Sequence, residues 1–524
     1  MREWLPSSDP VWLVIEVIRQ CDTSAFHAGR RLGGAGRAGY DPDMLVTVLV
    51  WAWLQGVHSS RRIERLCGRD VAFRVICAGD VPDHVTIARF RQGFGAGVEQ
   101  LFEQVLVLAA RLGLGQLGVV ALDGTKIAAP ASVGQNRTAA GLVQAAADER
   151  VREAARAAAR RAARAHTAAD ADEDARFGEG HGDQMSDDDG DDRSAGGPGR
   201  SRSARIAEAK AGLDEQARRE EADRRARLAE REARIAAKDG RPVDGRPPAG
   251  TEVLLAEQAL AAACAAADAR VREWQATGRG RRPADVEDQG PVRRATARLA
   301  RAQQTVAARA ARQPRREPVG NITDPESGLQ PLAGGGWLQG YNAQAVTTSD
   351  GLILAAGVSN NPADQIAFLP MLQKATETAA RVGAGPIGLI LADAGYLSVD
   401  NLTAPGPDRL IAVGSRRSME AAARTADRPP ETATDDTGGG GGDGGDPAIQ
   451  AMRDRLATPD GIAAYRQRSQ IAETTFGHAK HNLGFRRFTG IGLDRARAEW
   501  TFHAAVHNLS KIINHGLVPQ PVTG

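Results

Sequence analysis

Two short apolar runs, each closed by an aspartate, constrain this chain more than any other feature. Residues 117–122 read LGVVAL and lead into Asp123-Gly124-Thr125-Lys126; residues 386–392 read PIGLILA and lead into Asp393-Ala394-Gly395-Tyr396. A run of strand length with no polar alternation suits a strand covered on both faces, as in the middle of an α/β sheet. Taken singly, an aspartate that ends a strand close to a glycine is turn chemistry. If the two strands are neighbours, the same carboxylates lie side by side just past the strand ends, where α/β sheets commonly bind ligands.

The elements around these runs agree with such a sheet. Residues 340–348 and 352–358, joined by Ser349-Asp350-Gly351, read as a hairpin. Residues 364–380 read as a helix and 409–413 as a further strand. The order strand, hairpin, helix, strand, helix, strand predicts an α/β fold, a mixed sheet flanked by helices. An all-α segment precedes it. Residues 44–55, MLVTVLVWAWLQ, form a helix that must be buried, and Ser59 or Ser60, Asp70 and Thr86 stand where N-caps would open helices over 61–67, 71–78 and 87–94. A further amphipathic helix is expected over 98–112. The pair joined by Pro82-Asp83-His84, with Arg89 and Arg91 on its second member, fits a DNA-reading helix-turn-helix and equally an ordinary helical pair with surface arginines.

Between residues 139 and 318 the chain changes character, being rich in Ala, Arg and Glu. Ile206 and Leu213, then Leu228 and Ile235, stand a heptad apart, which predicts a long helical hairpin or coiled-coil arm inserted after the first strand. Residues 176–200 and 239–250 have linker composition, and 416–446 form a second flexible connection. The expected organisation is a helical domain over 1–115, catalytic segments over 116–138 and 319–415, the arm over 139–318, a linker over 416–450 and closing helices over 451–515.

The formal charge of +2 conceals uneven placement, since the tracts 183–192 and 435–446 gather acid that offsets basic clusters elsewhere. Local patches therefore say more about partners than the sum does. The four cysteines are scattered, with no CxxC pair, which argues for reduced thiols and against a zinc module. The first residues lack the pattern of a signal peptide. No apolar run approaches the roughly 20 residues of a membrane helix.

One more segment carries chemistry. Residues 465–480, YRQRSQIAETTFGHAK, read as a helix in which Glu473 stands among Arg466, Arg468 and Lys480, with His481, Arg486 and Arg487 following. The default for such a helix is a solvated, salt-bridged face. With Asp123 and Asp393, however, Glu473 completes a three-carboxylate set. Phosphodiester chemistry needs an activated attacking oxygen and a stabilised leaving oxygen, which two divalent ions about 4 Å apart supply. Magnesium prefers hard oxygen ligands and keeps several waters, so a few carboxylates suffice. Periodicity and composition do not choose between these readings.

The motifs VALDGTK, LADAGY and the Tyr465, Arg468, Glu473, Lys480 set, in that order, resemble those of DDE transposases of bacterial insertion sequences. Glu473 to Lys480 keeps the family spacing; Arg468 to Glu473 is one residue longer than its commonest form. The helical segment over 41–91, NITDPESG (321–328), GYNAQ (340–344) and the closing GFRRF…EW…HNLSK are similar to the family as well. The resemblance implies a ribonuclease H-like catalytic domain, with Asp123, Asp393 and Glu473 as catalytic residues holding Mg2+ or Mn2+, two ions in all. It further implies binding of terminal inverted repeats, cleavage at the ends, and transfer of the 3′ hydroxyl to target DNA. Lys480 and Arg468 would grip phosphates and Tyr465 would support terminal bases. Lys126, Arg486 and Arg487 are added as DNA contacts from charge and position. A homodimer in the active complex and a bacterial cytoplasmic, nucleoid-associated location are expected. A DNA-binding descendant without chemistry and a nuclease without strand transfer are the alternatives; retention of all three acids favours the enzyme.

Overall fold

The sheet is built outward from β1 (Val119–Ala128), whose Val120, Ala121 and Leu122 are fully buried. The computed structural model describes residues 2–28, 39–177, 201–236, 251–279, 281–312, 317–332, 334–414 and 446–515; most of the expected linkers lie outside these described residues. After β1, the short β2 (Asn136–Thr138) pairs with β3 (Val319–Asn321) in a two-stranded ribbon. On one edge of β1, β5 (Trp337–Thr348) runs antiparallel, with Asp123 opposite Ala345 and Lys126 opposite Asn342. The outer edge of β5 carries β4 (Gly328–Pro331) along its first half and β6 (Ile353–Ser359) along its second, both antiparallel. On the other edge of β1, β7 (Leu389–Ala392) is parallel, and β8 (Asp408–Ile411) is parallel beyond it. The expected hairpin and mixed sheet are both present.

Helices cover both faces. Among the described residues, seven α-helices precede β1: α1 (Pro10–Gln20), α2 (Ser24–His27), α3 (Pro42–Leu54), α4 (Ser60–Arg69), α5 (Val71–Ile76), α6 (His84–Gln92) and α7 (Gly95–Arg111). As its composition demands, α3 is buried along most of its length. Asp70 caps α5 as expected, accepting from the Ala72 and Phe73 amides. The cap of α6 differs: Asp83, not Thr86, accepts from the Val85 and Thr86 amides, and the Thr86 hydroxyl itself donates to Asp83 Oδ2 at 2.6 Å. A carboxylate is the better cap because it also faces the positive end of the helix dipole.

Residues 139–320 hold α8 (Ala139–Phe177), α9 (Arg202–Ala236), α10 (Glu252–Thr277) and α11 (Gly290–Arg312). Contacts divide the chain into two units, Met1–Asn136 with Ala163–Arg205 and Asn321–Gly524, and Arg137–Ala162 with Ile206–Gly320. In the second unit α10 and α11 form an antiparallel pair tied by Arg309 to Glu252 at 2.9 Å. Of the heptad positions in α9, Ile206 and Leu228 are buried.

The first unit closes with α12 (Phe368–Arg381), α13 (Val399–Thr403), α14 (Pro447–Ala457), α15 (Pro459–Gly477), a π-helical turn (His478–Asn482) and α16 (Leu493–Asn514). Alternation along β1 divides the core. Val120 and Leu122 share it with Phe368 of α12 and Trp500 of α16, whereas Ala121 packs with Met452, Leu456 and Ile471 of α14 and α15. The N-terminal helices belong to the same core, Trp53 of α3 meeting Phe502 of α16 edge-on at 4.8 Å. Among the described residues, no helix is long and apolar enough to cross a membrane.

Candidate active site

The parallel ladder between β1 and β7 ends with Leu122 opposite Ala392, so the next residues along the two strands are Asp123 and Asp393. Both aspartates use their side chains alike. Asp123 Oδ1 accepts from the Gly124 amide at 2.8 Å, and Asp393 Oδ1 accepts from the Gly395 amide at 2.8 Å. A backbone amide therefore occupies one oxygen of each; for Asp393 this is turn chemistry, whereas Asp123 lies within β1 and makes no turn. The other oxygens converge: Arg468 Nη2 lies 3.1 Å from Asp123 Oδ2 and 3.4 Å from Asp393 Oδ2.

Arg468 arrives on α15, which Thr458 caps by accepting from the Gly461 amide at 3.0 Å, with Pro459 in the first turn. Ile471 and Ala472 fasten the buried face of this helix to β1. Its other side presents Ile462, Tyr465, Arg466, Ser469 and Glu473 at helical spacing to a cavity of about 330 Å3 that Asp393 also lines. Glu473 is exposed there. The structure thus brings Asp123 and Asp393 onto one cation and sets Glu473 in the same cavity as Asp393.

The electrostatics follow from this geometry. Burial pushes the Asp123 carboxyl up to about 6; Arg468 and the Gly124 amide oppose the shift, and Asp393 and Asp364 add to it. Burial of Arg468 works against its charge, but Asp123, Tyr465, Asp393 and Glu473 more than offset this and raise its pKa. Hard carboxylate oxygens gathered on a single positive charge are a donor set that suits Mg2+ or Mn2+. Among the described residues only His27, Asp41 and Asp43 have acid or imidazole ligand atoms all within 4.8 Å of one another. That group is already accounted for: Asp41 caps α3 through the Asp43 amide, and His27 Nε2 pairs with Asp43 at 2.8 Å.

The basic residues divide into two kinds. Lys480 sits in the π-helical turn and donates to the Lys126 carbonyl at 3.3 Å; burial, then Arg486, lowers its pKa. Arg486 and Arg487 are exposed, and their segment bridges in parallel to the last residue of β1, the Ala128 amide donating to the Arg486 carbonyl and the Phe488 amide to the Ala128 carbonyl. The Lys126 amine, by contrast, is engaged internally by the Pro362 carbonyl at 3.0 Å and Asp364 at 3.2 Å. Arg91 is not a surface arginine. Its guanidinium donates to the His58 carbonyl and to Thr489, lies 3.6 Å from Glu499 and covers Trp53, so it ties α6 to the end of the chain. Arg89 of the same helix is exposed. His503 and His507 are core residues of α16, His503 stacking against both Phe485 and Trp500 and His507 bonded to the Gly351 carbonyl.

Sequence reasoning missed Asp364, which read as the first residue of a helix. It stands instead in the loop after β6, within the field of Asp123, and gathers Lys126, Asn342 and Gln344. Its neighbours, Asn361-Pro362-Ala363, carry no signal beyond that of a loop.

Two protein families match the chain. The Transposase DDE domain matches residues 446–513 and the Transposase domain (DUF772) matches residues 1–93. Both are transposase families, and together they support a DDE transposase of insertion-sequence type. No curated protein and no solved structure matches the chain.

Proposed function

We propose that this chain is a DNA transposase that cuts and joins DNA at the ends of its element, with Asp123, Asp393 and Glu473 as its metal-holding catalytic residues. The observation that carries the reading is the convergence on Arg468 of Asp123 and Asp393, the residues just past the end of the β1–β7 ladder, beside the cavity that Glu473 lines. The sheet supports a ribonuclease H-like fold. A central strand has an antiparallel hairpin on one side and two parallel strands on the other, with Asp123 within that strand and Asp393 just past the end of its parallel neighbour. Transposase families at both ends of the chain support the same conclusion.

Divalent ions bound by the three carboxylates would activate the attacking oxygen and stabilise the departing one. The chain's own groups prepare that event. The Gly124 and Gly395 amides fix one oxygen of each aspartate and leave Oδ2 to face the centre. Arg468 keeps the two carboxylates from repelling each other and would face the scissile phosphate once DNA is bound. Lys480, Arg486 and Arg487 contact the DNA backbone from the far end of β1, and Tyr465 supports the terminal bases. A water oxygen bonds to phosphorus at the element end while the 3′ oxygen leaves as a hydroxyl. That hydroxyl then attacks a target phosphorus, and the target's own bond from phosphorus to its 3′ oxygen breaks. Two ends brought together call for a homodimer acting in the bacterial cytoplasm.

The test uses DNA carrying the inverted repeats that flank the gene, a second duplex as target, and Mg2+. Cleavage followed by covalent joining to the second duplex is the expected result. Hydrolysed ends that are never joined would make the protein a nuclease and overturn the reading.

A further inference from the structure

Gly124 and Gly395, one beside each aspartate of the centre, are glycines for an unexpected reason. Neither has positive φ, so neither is needed for its backbone conformation. Both are needed for space. A Cβ on Gly124 would overlap the Gln344 amide nitrogen and come to 3.1 Å from Asp364 Oδ1. A Cβ on Gly395 would come to 3.0 Å from Asp393 Oδ1 and 3.4 Å from Asp364 Oδ2. Asp364 is common to the two. Its carboxylate lies across both motif backbones, one oxygen toward the β1 glycine and the other toward the glycine after β7.

The two oxygens of Asp364 have different surroundings. Oδ1 accepts from Asn342 at 2.6 Å, Gln344 at 2.9 Å and Lys126 at 3.2 Å, three donors from the β1–β5 pair. Oδ2 lies over Gly395, in the turn that Asp393 closes. The Gln344 side chain continues the network by accepting from the buried Tyr396 hydroxyl, which belongs to the same turn. Carboxylate, amide and phenol thus link the strand that bears Asp123 to the turn that bears Asp393, on the opposite face of β1 from Arg468.

We propose that Asp364 is the positioning residue of the centre: it sets the spacing of Asp123 and Asp393, and the two motif glycines admit it. This rests on the reading of those aspartates as divalent-metal ligands. A carboxylate spacer matters most for Mg2+, which demands near-ideal octahedral geometry, and less for a more tolerant ion such as Mn2+.

The test is calorimetric titration of the full chain, without DNA, with Mg2+ and separately with Mn2+, together with a melting curve for each variant. Asp364→Asn keeps shape and an acceptor; Asp364→Glu keeps charge and moves it into the space the glycines leave. Both are expected to melt near the parent, to bind Mg2+ at least about tenfold more weakly, and to lose less for Mn2+. A variant that only loosened the fold would lower its melting temperature and weaken both ions alike, and that result would overturn the proposal. So would parental affinity for both ions in Asp364→Asn and Asp364→Glu while Asp123→Asn abolishes binding. Parental Mg2+ affinity in Asp123→Asn itself would instead refute the metal-ligand reading, and this proposal with it.

Discussion

Asp123→Asn is expected to stabilise the metal-free protein at neutral pH while removing its chemistry. Burial raises the Asp123 carboxyl from 3.8 to about 6, even with Arg468 beside it. For an acid whose folded pKa lies above its unfolded one, the folded state holds the proton more tightly. That contribution to stability is fully present below pH 3.8 and is lost as pH rises through about 6. A shift of about two units at roughly 1.4 kcal/mol each makes the ionised carboxylate a burden on the order of 3 kcal/mol at pH 7–8. Asparagine keeps the acceptor for the Gly124 amide without the charge. Urea unfolding in EDTA, parent against variant, should therefore give a difference of about 3 kcal/mol at pH 8 that shrinks below pH 5. Acids that do not couple to Asp123 cancel in the difference between parent and variant. Equal stability at pH 8, or a difference that does not change with pH, would refute the reasoning.

Other outcomes follow from the same structure. Arg468→Gln leaves Asp123 and Asp393 facing each other without their shared cation, and should cost about 3–5 kcal/mol in EDTA, partly recovered on adding Mg2+. Arg91→Ala should destabilise the fold by a similar amount, yet leave the DNA affinity of the folded fraction within about twofold, measured by unfolding and by DNA titration. Arg486→Ala and Arg487→Ala should each reduce the slope of log affinity against log salt by about one, with little change in melting temperature. Burial lowers the His507 pKa from 6.5 to about 3, so the unfolded chain takes up the proton first. Stability should fall by up to about 5 kcal/mol as pH drops from 6.5 towards 3, and His507→Gln should flatten that part of the profile.

The strands and the two aspartates were legible because buried strands leave unbroken apolar runs, and because an aspartate stands where each run stops. Periodicity likewise found α3, the hairpin and α15. What stayed hidden depends on partners remote in sequence. Arg91 looked like a surface arginine, since its partners His58, Thr489 and Glu499 come from other segments. Asp364 looked like the start of a helix, because only the folded sheet brings Lys126, Asn342 and Gln344 to it. Gly124 and Gly395 suggested turns, whereas a Cβ on the first would overlap Gln344 and crowd Asp364, and one on the second would crowd Asp393. The turn reading holds for Asp393 and fails for Asp123, which lies inside β1; each nevertheless spends one oxygen on a backbone amide and turns the other to Arg468.

The central claim, that Asp123, Asp393 and Glu473 act as one centre, is tested most directly by single-turnover cleavage of end-bearing DNA in Mg2+ by Asp123→Asn, Asp393→Asn and Glu473→Gln. Each change alone is expected to lower the rate on the order of 10³-fold while DNA binding persists. Cleavage at the parental rate by any one of the three would contradict the account.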